Sequence, residues 1–228
     1  MNMYISEALI AVSFNQDNFV RLKQQKAEEI YGNINDKPSV NTNAADGQNP
    51  SLPRILIKDE SKGIGISQIS ANLALAFDRD DALDKQVDTI ISYTDIFFND
   101  TKIFEGEANI KDTGIISTII IPSDKPANEL NSYLFKTFSK FDPLGDVVTS
   151  FYKFGFKTAN NLFIGIDVGA YSKQESPQGK ISSGYLIKAD INNKPRFFAE
   201  ANPVLITPDD IKERFKSFIN KEIKKYFN

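Results

Sequence analysis

The chain has 228 residues, 27 basic and 30 acidic side chains, and no histidine, cysteine or tryptophan. Without imidazole or thiol it lacks the Ser-His-Asp and Cys-His nucleophile systems and the ligands of zinc, copper and haem sites, so any metal would be Mg, Mn or Ca held by oxygen. A net charge of −3 argues against a general nucleic-acid binder, while 41% hydrophobic content suffices for a core.

The first strand is predicted over Ala8 to Phe14, where apolar and polar residues alternate weakly. Asp17 can cap a helix carrying Phe19, Leu22, Ala27 and Ile30 on one face, with Gly32 as its left-handed stop. The stretch 33–53 holds five Asn and three Pro without an apolar period, which predicts a flexible, disordered loop. Strands follow over Arg54 to Lys58, Ile64 to Ile66 and Asn72 to Asp78. Asp80 or Asp81 can cap a helix with Leu83, Val87, Ile90, Ile91, Thr94, Phe97 and Phe98 on one stripe.

Lys102 to Ile110 and Ile115 to Ile121 read as a hairpin around Asp112-Thr113-Gly114. The spacing of Leu130, Tyr133, Leu134, Thr137, Phe138 and Phe141 predicts a third helix, ended by Asp142-Pro143-Leu144-Gly145. Val147 to Lys157 should pair with Leu162 to Val168, and Lys180 to Asp190 with Pro195 to Phe198. The last helix opens at Thr207-Pro208-Asp209-Asp210 and presents Ile211, Phe215, Phe218, Ile219 and Tyr226 as its apolar face. The order predicts an α+β protein: an antiparallel or mixed sheet of hairpins with about four amphipathic helices, the C-terminal one packed on the sheet. It reads as one domain over 1–228, with sub-halves 1–100 and 101–228 compatible with a diverged duplication.

No basic leader precedes an apolar stretch at the N-terminus, and no apolar run approaches a membrane span, so a cytoplasmic, non-membrane protein is expected. The 18 Phe and eight Tyr read first as core filling, with an aromatic ligand surface as the alternative. Gly63-Ile64-Gly65-Ile66 reads as a glycine-eased bend rather than a phosphate loop. The basic last helix and the acidic run Asp78 to Asp88 read as solvated faces, or as complementary surfaces within the protein or across an interface.

Leu162-Phe163-Ile164-Gly165-Ile166-Asp167-Val168-Gly169 resembles the first strand of RNase H-like nucleases, including the PIWI domain, and the phosphate-1 strand of actin-like ATPases. The nuclease resemblance implies Mg held by Asp167, with Asp190 or Glu200 as partner carboxylate. The opening is similar to that of a sporadically distributed bacterial family of conserved hypothetical proteins beginning Pro-x-x-Glu-Ala-apolar-Ile-x-apolar-x-Phe. Glu7, Ala8, Ile10 and Phe14 fit that pattern, and Tyr4 replaces its proline. Gly65-Ile66-Ser67-Gln68-Ile69-Ser70 and Gly184-Tyr185-Leu186-Ile187-Lys188-Ala189-Asp190-Ile191 resemble its middle and closing sections. That resemblance implies no site residues, and a patchy distribution of the mobile-element or phage-defence kind.

Three functions follow as expectations. The first is a non-enzymatic interaction or accessory protein, with a protein partner or homo-oligomer and no catalytic, cofactor or metal residues. The alternative is an Mg-dependent nuclease centred on Asp167 with Asp190. The third is a small apolar-ligand binder, which a large apolar cavity beneath the last helix would favour.

Overall fold

The computed structural model describes residues 3–31, 39–41, 44–100, 110–158, 162–174, 181–193 and 208–227. It opens with β1 (Tyr4–Phe14), whose alternation buries Ala8, Ile10, Val12 and Phe14 and leaves Glu7, Leu9, Ala11 and Ser13 on the other face. A 3-10 turn (Val20–Lys23) and α1 (Gln24–Tyr31) follow. The expected stripe is rotated here: Phe19 and Leu22 are 58% and 82% exposed, while Val20, Ala27 and Tyr31 are buried. The tighter first turn is the cause, because its three-residue period swings the opening residues off the 3.6-residue stripe. Asp17 makes a local turn instead of a helix cap, its Oδ1 accepting from the Phe19 N–H at 2.8 Å and its Oδ2 from Lys23 Nζ at 2.6 Å.

Next come β2 (Ser39–Asn41), β3 (Ile55–Lys58), β4 (Lys62–Ile66) and β5 (Ser70–Ala76). The stretch expected as an unstructured loop thus supplies an edge strand. Its described part from residue 44 onward is pinned by Arg54, which is fully buried. The Arg54 guanidinium donates to the carbonyls of Gln48, Asn49 and Leu52 and to Gln68 Oε1, over 2.6–3.3 Å. Those charge-assisted bonds hold together a segment with no apolar period of its own. Gly63 and Gly65 lie inside β4, not in a bend before it.

Then α2 (Leu83–Asp100) lays Val87, Ile90, Thr94 and Phe97 onto β1, with the Phe97 and Tyr31 rings 5.8 Å apart. Gln86 Oε1 on this helix accepts the Ile5 N–H at 2.8 Å, beside the β-bulge that falls between Ile5 and Glu7. The expected hairpin at Asp112-Thr113-Gly114 is absent, because β6 (Ile110–Ser123) runs straight through those residues. Gly114 instead permits a close approach of strands. A Cβ there would lie 2.7 Å from Asn192 Cβ and 2.9 Å from the Ile191 carbonyl oxygen. The expected first arm, 102–109, lies outside the described residues.

The remaining elements are α3 (Ala127–Phe138), β7 (Phe151–Lys157), β8 (Phe163–Gln174), β9 (Ile181–Asn192) and α4 (Pro208–Ser217), the last continued by a π turn (Phe218–Glu222) and α5 (Ile223–Phe227). The third helix stops at Phe138, and Phe141 beyond it is 84% exposed. The expected β7–β8 hairpin forms. The partner expected for β9, Pro195 to Phe198, lies outside the described residues, and β9 instead pairs with β6 and β8.

Among the described residues all pairings are antiparallel, and the strand order is β2-β3-β4-β5-β1-β6-β9-β8-β7. The protein is α+β and strand-rich, with α2, α3 and α4 packed on one face of the sheet. The last helix contacts β6 and β9, as expected of a C-terminal helix on a sheet. The β1–β6 pair carries the sheet unbroken between the two sequence halves. Among the described residues no helix is long and apolar enough to cross a membrane.

Candidate functional site

The apolar faces of β7, β8 and β9 do not meet the final helix in full contact. A cavity of about 510 Å³ separates them, within the ~300–1,000 Å³ usual for small-molecule sites. Its floor is Ile164, Ile166 and Val168 of β8 with Ile187 of β9, positions that alternate onto the helix side of the sheet. Phe154 and Phe156 of β7 form the wall at the sheet's end, and Phe138 of α3 closes one side. Phe218, Ile223, Tyr226 and Phe227 form the roof.

The aromatic side chains hold one another. The Phe138 ring lies 5.4 Å from that of Phe154 at 55° and 6.0 Å from that of Tyr226 at 46°, tilted arrangements that suit the ring quadrupoles. The end of the roof is tied down by Tyr133 of α3, whose hydroxyl donates to the Tyr226 carbonyl at 2.6 Å. Behind it, Tyr185 packs on Phe227 with centroids 4.9 Å apart. Burial, and then the neighbouring Tyr133, push the Tyr185 hydroxyl up to about 12 from an ordinary 10.0.

The charged part of the lining is one ion pair, with Thr158 as a further polar side chain. Arg214 donates to both carboxylate oxygens of Glu222, at 2.5 and 2.7 Å. Eight residues are about 2.2 turns of a regular α-helix, which would set the two side chains about 80° apart around the axis. The π turn between them takes up that surplus, and such turns often mark functional positions. Arg214 Nε is buried without a hydrogen-bond partner among the described residues. An orphaned buried donor costs about 1–3 kcal/mol, so a lining residue that keeps one is well placed to meet a ligand acceptor.

The carboxylates singled out by sequence lie on the opposite face. Asp167 sits across from Lys153 on β7 and Lys188 on β9, and accepts from Lys153 Nζ at 3.2 Å. Asp190 faces Gly165 and accepts from Asn192 Nδ2 at 2.7 Å. The row continues to Thr118 on β6, whose hydroxyl donates to Glu7 on β1 at 2.8 Å. Two ammonium groups flanking Asp167 do not fit a site that must gather a divalent cation with several carboxylates. Among the described residues no group of three or more His, Cys, Asp or Glu side chains is arranged to hold a metal. Glu200 lies outside the described residues.

The charged helices do meet. Lys216 lies 3.9 Å from Asp88 of the acidic run, and Lys212 bonds Asp209 at 2.7 Å and also Asp95. Burial works to lower the Lys212 pKa, but those two carboxylates outweigh it and raise it.

Comparison with known proteins gives no match to a family model, a curated protein or a solved structure. The site therefore speaks through its own chemistry. Sequence reading placed Phe218 and Tyr226 on the apolar face of the last helix but did not connect them with Phe154 and Phe156. The signal was present in Tyr152-Lys153-Phe154-Gly155-Phe156, an aromatic alternation on a strand. The Arg214–Glu222 pair carried no such signal, because regular helical spacing hides it.

Proposed function

We propose that the protein binds a small, largely apolar ligand, aromatic or aliphatic, in the cavity beneath its last helix, and acts as a binding protein rather than an enzyme. The observation that carries this reading is an aromatic-walled cavity of about 510 Å³ whose lining includes Arg214, with its unsatisfied Nε. A ligand with one acceptor group would find a donor there, and its apolar body would replace poorly packed space.

The test uses two dyes of the same apolar shape. Anilinonaphthalene sulfonate carries an anionic acceptor, and N-phenyl-1-naphthylamine does not. Saturable binding of about one equivalent of each is expected, lost on Ile166→Trp, which fills the floor. The double variant Arg214→Met/Glu222→Met should weaken the sulfonate and spare the neutral dye. Undiminished binding to Ile166→Trp would sink the reading.

A further inference from the structure

We propose that β7 is the seam of a homodimer, in which a second copy of this chain adds its own β7 antiparallel and extends the sheet across a two-fold axis at Phe154. This stands independently of the ligand reading.

The two ends of the sheet differ. The described part of β2 at one end spans three residues, and short edge strands resist pairing. β7 at the other end has seven residues, pairs with β8 without a register shift and contains no proline. Such an edge, about 23 Å long, is a template for another strand. Large apolar side chains are exposed on it and in the connection before it. Phe151 is 64% and Phe156 49% exposed, and Phe141, Leu144 and Val148 in the preceding connection are 78% exposed or more. The end of that connection is held in place, because the buried Asn131 of α3 bonds the Val148 carbonyl at 3.0 Å and the Ser150 N–H at 2.8 Å.

The sequence of β7 selects the occupant. With the axis at Phe154, Tyr152 faces the partner's Phe156, Lys153 faces the partner's Gly155, and Phe151 faces the partner's Lys157. Aromatic meets aromatic on the helix side, and no lysine opposes a lysine on the other. Moving the axis one residue either way sets Lys153 against the partner's Lys153 or the partner's Lys157, both repulsive. One register is therefore self-complementary and its neighbours are not. Edge lysines commonly deter pairing; here Lys153 already pairs with Asp167, and the favoured register sets no lysine directly opposite another.

The experiment is sedimentation of the full chain over a concentration series, with charge variants at Phe151. A reversible dimer is expected. Phe151→Lys places a lysine opposite the partner's Lys157 and should raise the dissociation constant at least tenfold, whereas Phe151→Glu should preserve or tighten the dimer. Phe151→Lys/Lys157→Glu should restore it. A second measurement is independent of those variants. In this cysteine-free chain, Phe154→Cys should form an intermolecular disulfide under mild oxidation. Phe156→Cys should not, because its symmetry mate lies beyond the ~7 Å Cα limit for bridging. A monomer at every concentration overturns the proposal and leaves the edge to some other strand. Equal responses to Phe151→Lys and Phe151→Glu, or crosslinking through residue 156 instead of 154, also overturn it.

Discussion

The two ends of the sheet are built from different side chains, and the difference separates scaffold from site. On β3, β4, β5 and β1 the helix-side positions are mostly Ile, Leu, Val and Ala, buried under α1 and α2. Branched aliphatic side chains have few rotamers and interdigitate closely, so that end is filled. On β7 the same face carries Tyr152, Phe154 and Phe156, flat rings stacked nearly parallel along the strand, 8° and 20° between planes, that leave the 510 Å³ cavity beside them. A protein with 18 Phe could have used them all to fill space. This one groups several around a gap.

The contrast can be broken first at the filled end. Phe97→Ala, removing a fully buried ring that packs on Tyr31, should cost about 3–5 kcal/mol in urea unfolding. Phe156→Ala at the open end should cost under about 1 kcal/mol, since that ring is already half exposed. Next in size is Arg54→Met. It strips the charged donor from three carbonyls and should cost about 2–3 kcal/mol, with faster proteolysis between residues 44 and 53. At the cavity, Ile166→Trp should reduce dye binding at least tenfold, while its stability changes by less than about 2 kcal/mol in either direction.

The aromatic end should also show an alkaline weakness. The folded protein holds the Tyr185 proton to about pH 12, whereas the unfolded chain releases it near 10.0. Stability from this group is thus complete below pH 10.0 and falls as pH rises toward 12. Tyr185→Phe should flatten that limb when urea midpoints are compared across the range. The smallest effect is expected at Asp167. Its pair with the largely exposed Lys153 should be worth about 0.2–1 kcal/mol and fade with salt. A large loss of stability in Asp167→Asn would show that the polar row carries more of the fold than its exposure implies.

The fold class and most elements were legible in the sequence, because strands such as β5 and helices such as α2 announce their buried faces by period. What failed did so for identifiable reasons. Gly114 carries the same mark whether it turns a chain or admits a neighbouring strand, so a stretch inside β6 was read as a turn. The stretch 33–53 lacks any apolar rhythm, and its described part from residue 44 onward is held by Arg54, a residue just outside it. The site was only half legible. Its aromatic side chains repeat visibly along β7 and the last helix, but a cavity is a property of how two such rows fail to meet. Asp167 drew attention through its local pattern, and only the strand register reveals its lysine neighbours.

The position of β1 has a consequence for how the chain reaches this state. It lies in the middle of the sheet, so it is made early and completed late: Leu9 finds Ala74 on one side and must wait for Ile116 on the other. Closing such distant pairs is slow, because chain entropy is lost before the contacts that offset it form. The β3–β4–β5 meander and the β7–β8–β9 hairpins can assemble from neighbours in sequence. During synthesis Ala8, Ile10, Val12 and Phe14 remain exposed until α2 covers them and β5 and β6 flank the strand, which leaves the N-terminal strand open to a chaperone.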